Sequence, residues 1–306
     1  MIEKIIPVFF SMLAGASSVA QDSAVVIGKK TITLTGVVIN NKLNIPAFIE
    51  RVKNDTTFYK AFLNLRMLNY TAINDVRMLD KSGNSQATLF GKTKQVRDSN
   101  CRRMEVLEEQ SSGDFYTDDH QYNYYTAQMY ASLFFTNGMV CGEDNIVAGS
   151  TFSTTGKTGL EKHKEQLKML FFNPGKKIKG LPFIADKTAI YDDELAGVYD
   201  MSVDMEEYNQ TSCYIFKQKV KPGKEGNVVV DEMITWFDDK TFEVVARNYT
   251  LSYDAGVYDF KVQMEVQLAH AGTYLVPVLI RYNGNWKVIF KKRERGIFTA
   301  TLFDFR

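Results

Sequence analysis

Tyr258-Asp259-Phe260-Lys261-Val262-Gln263-Met264-Glu265-Val266-Gln267-Leu268 alternates apolar and polar side chains without a break. A period of two belongs to an extended strand with one dry face and one wet face. Slipping the pairing by one residue would exchange those faces. At ~25 cal/mol per Å2 of apolar surface, the apolar set supplies on the order of 10 kcal/mol of gross burial, so the register is strongly specified. The stretch therefore sets the architecture: an antiparallel sheet whose dry side something must cover.

Working outward, similar runs predict strands at about 198–207, 211–220, 228–237, 241–253, 256–269, 273–282, 285–295 and 297–305. Asn209-Gln210, Pro222-Gly223, Asp238-Asp239, Ala271-Gly272 and Asn283-Gly284 supply the turns between them. Asn-Gly between apolar runs is the strongest local hairpin signal. Connections this short make each strand antiparallel to the last, a meander. A long, strongly twisted sheet tends to curl into a barrel or half-barrel.

Upstream, 24–39 and 68–108 also read as extended, and 110–122 as a polar loop. Asn44-Ile45-Pro46 signals a helix start, and Asp55 can cap a second helix that carries Phe58, Tyr59, Phe62 and Leu63. A tyrosine-rich helix is predicted at 122–135 and another at 159–172, with 136–157 as a long connection between them. The fold class is α+β: a large curved antiparallel sheet with a C-terminal meander, covered on its concave face by a few helices. Whether 24–108 and 198–305 share one sheet is open at this level.

The N-terminus reads as an export signal. Lys4 is followed by the apolar stretch from Ile5 to Val19, and Ser18-Val19-Ala20 gives small residues before Gln21. The alternative is a buried N-terminal helix. The apolar run is shorter than the ~20 residues of a spanning helix, so a chain that does not cross a membrane is expected. Leu13-Ala14-Gly15 is followed by Ala16 rather than Cys, so no lipid anchor is expected. The organisation is then a signal peptide at 1–20 and one domain at 21–306, with 21–44 an N-terminal β segment, in a periplasmic or secreted location.

The chain has 306 residues, 45% of them apolar, and a net charge of +1. That balance excludes disorder and gives no sign of a nucleic-acid partner. Cys101, Cys141 and Cys213 are the three cysteines. They read as small buried hydrophobes, and a Cys101–Cys141 bridge is compatible with an oxidising compartment.

No catalytic constellation is present. Gly156-Lys157-Thr158 lacks the earlier glycine of a phosphate loop, since Thr151 stands there. His120, His163 and His270 form no zinc-binding pattern, and no Gly-x-Ser-x-Gly elbow occurs. Asp192-Asp193-Glu194 reads as a solvated loop. Lys291-Lys292-Arg293-Glu294-Arg295 reads as a charged strand on a solvated face or an edge guard, with anionic lipid contact as the alternative. No enzyme activity, cofactor or metal is expected.

Trp236-Phe237-Asp238-Asp239-Lys240-Thr241-Phe242, with Val244-Val245-Ala246-Arg247 after it, resembles the strand–turn–strand element of the LolA/LolB-like outer-membrane lipoprotein-sorting family. Tyr282-Asn283-Gly284-Asn285-Trp286 with the basic run after it is similar to an uncharacterised group of exported Bacteroidetes proteins. The resemblance implies a half-barrel carrier that transfers a lipid, acyl chain or lipoprotein by reversible burial. The residues expected to line its apolar cleft are Met201, Met205, Met233, Trp236, Phe260, Met264, Tyr125 and Met129. Methionine suits adaptable apolar walls, and tyrosine suits a rim. The expected partner is a hydrophobic ligand, with envelope proteins as further candidates. The alternative function is a structural or interaction protein of the cell envelope.

Overall fold

A computed structural model describes residues 21–27, 30–37, 43–145, 169–178, 185–254, 256, 258–288 and 292–306. The expected export signal, Gly156-Lys157-Thr158, His163, Lys291 and most of the helix expected at 159–172 lie outside the described residues; 169–172 are helical.

The described strands are β1 (Gln21–Ile27), β2 (Lys30–Val37), β3 (Tyr70–Leu79), β4 (Ser85–Asp98), β5 (Cys101–Gly113), β6 (Met139–Cys141), β7 (Tyr199–Tyr208), β8 (Thr211–Val220), β9 (Val230–Asp238), β10 (Val244–Asp254), β11 (Tyr258–Ala271), β12 (Tyr274–Val288) and β13 (Glu294–Phe303). They form one sheet in the order β1-β2-β7-β8-β9-β10-β11-β12-β13-β3-β4-β5-β6. The two β groups are therefore continuous, joined where β13 pairs with β3 and Phe298 stands opposite Val76. Pairing is antiparallel except for a short parallel contact of β2 with β7, Leu34 opposite Met201. The order is open, with β1 and β6 at its ends, so the curved sheet is not a closed barrel. β11 buries Phe260, Val262, Met264, Val266 and Leu268, as its alternation requires.

Among the described residues, three helices and the helical turn at 169–172 lie on the dry face. α1 (Ile45–Asn54) begins where Asn44 Oδ1 accepts from the Ala47 amide at 3.1 Å, with Pro46 in the first turn. α2 (Thr57–Asn64) is held by Asp55, whose carboxylate accepts from the Thr57 amide at 3.0 Å and the Thr57 hydroxyl at 2.6 Å. α3 (Tyr125–Phe134) has no cap of its own at Tyr124. Glu294, at the start of β13, accepts from the amides of Tyr125 at 3.0 Å and Thr126 at 2.8 Å. A carboxylate there satisfies orphan donors and faces the positive end of the helix dipole.

The structure corrects four local expectations. Asn283-Gly284 is not a hairpin: β12 runs straight through it, with Asn283 opposite Gln263 and Gly284 opposite Val262. The glycine serves a different need. A Cβ at Gly284 would lie 1.8 Å from the Tyr282 hydroxyl, because that ring folds across the strand and stacks on Phe298 at 4.0 Å. The meander from β7 onward thus has one long strand where two were expected. Second, 110–113 belongs to β5 rather than to a loop. Third, 136–157 contains a short strand, β6, bonded to β5 by the Cys101–Cys141 disulfide. Fourth, Lys292 and Arg293 are irregular and connect β12 to β13, while Glu294 is the α3 cap rather than a solvated strand residue.

Candidate functional site

Most of the dry face is filled. From α1, Phe48 meets Phe216 of β8 edge-on at 5.7 Å and Phe237 of β9 at 5.6 Å. Phe58 of α2 packs edge-on against Tyr249 of β10 at 6.4 Å. Phe171 packs against Tyr282 and Trp286 of β12.

The face is filled differently beneath α3. Tyr130 stacks obliquely on Phe298 at 4.4 Å and donates to Asn74 Oδ1 at 2.8 Å, and Asn74 in turn donates to the Thr93 hydroxyl. Beside this network the paired strands β3 and β13 carry alanines, Ala72 and Ala300, with Leu302 opposite Ala72. A methyl group cannot reach the helices above it. The result is a cavity of about 300 Å3, floored by Ala72, Ala300 and Leu302 and walled by Phe62, Leu133, Phe134 and Phe172.

One end of the cavity is charged. Arg66, after α2, bonds Glu143 at 3.2 Å. Arg102 of β5 bonds the same carboxylate through Nε at 2.6 Å, bonds Gln95 Oε1 at 3.2 Å, and also donates to the Thr136 hydroxyl. Gln95 is buried, and its amide donates to the carbonyls of Leu65 and Leu68 at 2.6 and 2.7 Å, so the α2 terminus, β4 and Arg102 are one hydrogen-bonded unit. The Cys101–Cys141 disulfide lies one residue from Arg102 and two from Glu143, and the Gly142 amide bonds the Asn100 carbonyl at 3.0 Å. The segment that carries Glu143 is thereby pinned at the cavity end. Burial pushes the Tyr70 phenol up to about 12, against the pull of Arg102, so it is neutral at physiological pH.

The residues expected for the cleft are distributed over other surfaces. Met201, Met233, Phe260, Met264 and Met129 are buried in the core, and Met205 is partly buried against it. Tyr125 is half-buried at the start of α3. Trp236 projects from the side of β9 opposite to Met233 and Phe237, where it packs on Tyr208 at 5.1 Å. None of the eight lines the 300 Å3 cavity; Phe260 lines a second, more open depression of about 400 Å3 with Tyr253 and Arg293. Its Arg293 is engaged by Asp259 at 2.7 Å and Asn285 at 2.8 Å. Phe134 and Phe135 fall inside the tyrosine-rich helix expected at 122–135. Arg66, Arg102 and Glu143 carry no local signal, since the β4–β5 register and the Cys101–Cys141 link bring them together. Only the spacing of Cys101 and Cys141 hints at it. His120 stacks on Tyr116 at 4.3 Å, and His270 faces Glu243 at 2.9 Å. Among the described residues no three His, Cys, Asp or Glu side chains converge as a metal site, and no helix is long and apolar enough to cross a membrane.

No family model matches the chain, and no curated protein matches it. Several solved structures are similar to it, two of which follow. An outer membrane lipoprotein-sorting protein domain from Vibrio parahaemolyticus aligns over 81% of this chain and 91% of its own, at 9% identity and a TM-score of 0.26. A DUF1329 family protein from Desulfovibrio piger aligns over 82% of this chain and 93% of its own, at 11% identity and a TM-score of 0.25. Likenesses this distant carry no argument about function, and the reading below rests on the cavity.

Proposed function

We propose that the chain is an exported, non-catalytic binding protein that holds an apolar chain between α2, α3 and the open sheet. The observation that carries this reading is the cavity of about 300 Å3 between the helices and Ala72 and Ala300. Its lining joins apolar side chains such as Phe62, Leu133 and Leu302 to polar ones such as Asn74, Gln95 and Arg102, and such convergent polar groups fix a ligand's orientation in small-molecule pockets. The Lys4-to-Ala20 pattern and a Cys101–Cys141 bridge both support an oxidising compartment outside the cytoplasm. Transfer would proceed by burial and release, with no bond made or broken. A ligand longer than the cavity would need α1 and α2 to lift, and would then reach Met233, Met264 and Phe260 on the same face.

Native mass spectrometry of protein purified from its own envelope tests this. The expected result is a one-to-one adduct of an apolar or amphiphilic small molecule, lost on solvent extraction. Protein that never carries such an adduct, and takes up no alkyl chain after extraction, contradicts the reading.

A second reading has its own support. β5 beyond its short pairing with β6 exposes Val106 at 61% and Leu107 at 52%, and β6 exposes Met139 at 66% opposite Arg103. An exposed sheet edge with apolar side chains suits a structural or interaction protein of the envelope. Cross-linking at Val106 that captures one defined envelope protein, with an empty cavity, would favour it.

A further inference from the structure

We infer that the ligand of this cavity is a single-chain amphiphile with an anionic head, a carboxylate or phosphate monoester, whose charge is received by Arg66 and Arg102. The inference rests on the reading of the cavity as a chain-binding site and adds what the ligand must be.

Three observations carry it. First, charge: among the residues that line the cavity, two arginines share one acid, Glu143. That end of the cavity therefore holds an excess positive charge. Second, geometry: Glu143 engages Nη1 of Arg66 and Nε of Arg102. Nε and Nη2 of Arg66, and Nη2 of Arg102, have no partner among the described residues. A planar fork of free N–H donors matches a carboxylate or phosphate oxygen pair. Shelter adds to this, since the Arg102 side chain is only 15% exposed and that of Arg66 33%. Arg102 is also held from behind by Gln95 and Thr136, so it need not be ordered when a ligand arrives.

Third, volume. About 300 Å3 is at the small end of the ~300–1,000 Å3 range of ligand sites. It accommodates one medium alkyl chain and excludes a lipid with two or three.

The test is calorimetric titration of the solvent-extracted full chain with decanoate, decyl phosphate, decanol and inorganic phosphate. Decanoate and decyl phosphate should bind roughly ten- to a hundredfold more tightly than decanol, the range of a charge-assisted hydrogen-bonded pair. Inorganic phosphate alone should not bind measurably. Arg66→Gln should abolish the margin of acid over alcohol, and Arg66→Lys should restore part of it. Arg66 is the better target because it is the more exposed of the two and its loss leaves the Arg102 contacts intact.

Equal affinity for decanoate and decanol overturns the head-group site and leaves the chain cavity standing. A margin that survives in Arg66→Gln overturns the assignment to Arg66. Inorganic phosphate that binds as tightly as decyl phosphate overturns the amphiphile in favour of a free anion. Failure of all three alkyl compounds to bind defeats the cavity reading, and this inference with it.

Discussion

Beneath α1 the dry face of the sheet carries Phe216 and Phe237, and Phe48 fits between them. Beneath α3 it carries Ala72 and Ala300, and the described residues leave a cavity above them. Both regions belong to one antiparallel sheet, follow the same period of two, and are covered by short amphipathic helices. They differ in side-chain volume at a few floor positions. The comparison teaches that a binding cavity needs no special backbone here. It needs two small residues on adjacent strands and helices held at a distance by other contacts, chiefly Tyr130 on Phe298 and Glu294 on the α3 amides.

The comparison can be broken most directly by truncation. Phe216→Ala opens a fully buried site and should lower unfolding free energy by about 3–5 kcal/mol. Leu133→Ala, at a partly buried cavity wall, should cost about 1 kcal/mol or less while it weakens binding of an alkyl chain. Urea unfolding of the two variants under the same conditions measures both. Equal losses would mean that the two regions are packed alike.

The next largest effect concerns the pinned end of the cavity. The disulfide joins residues 40 apart in sequence. Its removal in the Cys101→Ser, Cys141→Ser double variant should destabilise by about 2–4 kcal/mol. Hydrogen exchange should rise at residues 136–145, which carry Glu143, and not around Phe216. An exchange increase spread over the whole sheet would contradict a local role.

A smaller effect sharpens the contrast in polarity. The packed region has buried charge where the cavity region has sheltered but reachable charge. Arg247 is buried, with Asp55 at 3.8 Å, the Thr235 hydroxyl at 3.0 Å and the Phe58 ring at 4.3 Å. Nearby, burial pulls the Lys176 ammonium down to about 8 from its ordinary 10.5. Between those values the unfolded chain keeps a proton that the folded chain has released, so stability should rise as pH increases from about 8. Above about 10 the trend should reverse. Burial raises the phenols of Tyr130, Tyr249 and Tyr282, and the unfolded chain then loses protons that the fold retains. Lys176→Met should flatten the rise and leave the fall, as read by thermal unfolding across pH. An unchanged rise in that variant would exclude Lys176 as its source.

Much of the fold is legible in the sequence because a dry sheet face imposes a strict alternation. The Tyr258–Leu268 stretch reports β11 directly, and Asn44 with Pro46 reports the start of α1. Asn283-Gly284 misleads for a physical reason: the pair normally signals a turn, but here the missing Cβ makes room for the Tyr282 ring inside a continuous strand. Whether the two β groups merge is invisible to local patterning, because the joining pair, β13 with β3, is separated by most of the chain.

The site is less legible than the fold. Methionines such as Met201 and Met264 advertise adaptable apolar surface, yet they occupy filled core positions. The cavity arises from what Ala72 and Ala300 lack, and absence of volume has no sequence signature until the strand pairing is known. Arg66, Arg102 and Glu143 read singly as ordinary surface charges. Only the register of β4 with β5 and the Cys101–Cys141 link brings them to one cavity end.

The central claim, that the space over Ala72 and Ala300 receives an alkyl chain, is tested most directly by a crystal structure of the extracted chain soaked with decanoate, beside the same experiment on Ala300→Leu. The account predicts continuous density above Ala300, between Leu133 and Phe172, in the unsubstituted chain and none in the variant. Density in the more open depression at Tyr253, or a cavity closed by Phe134 in the unliganded crystal, would contradict it.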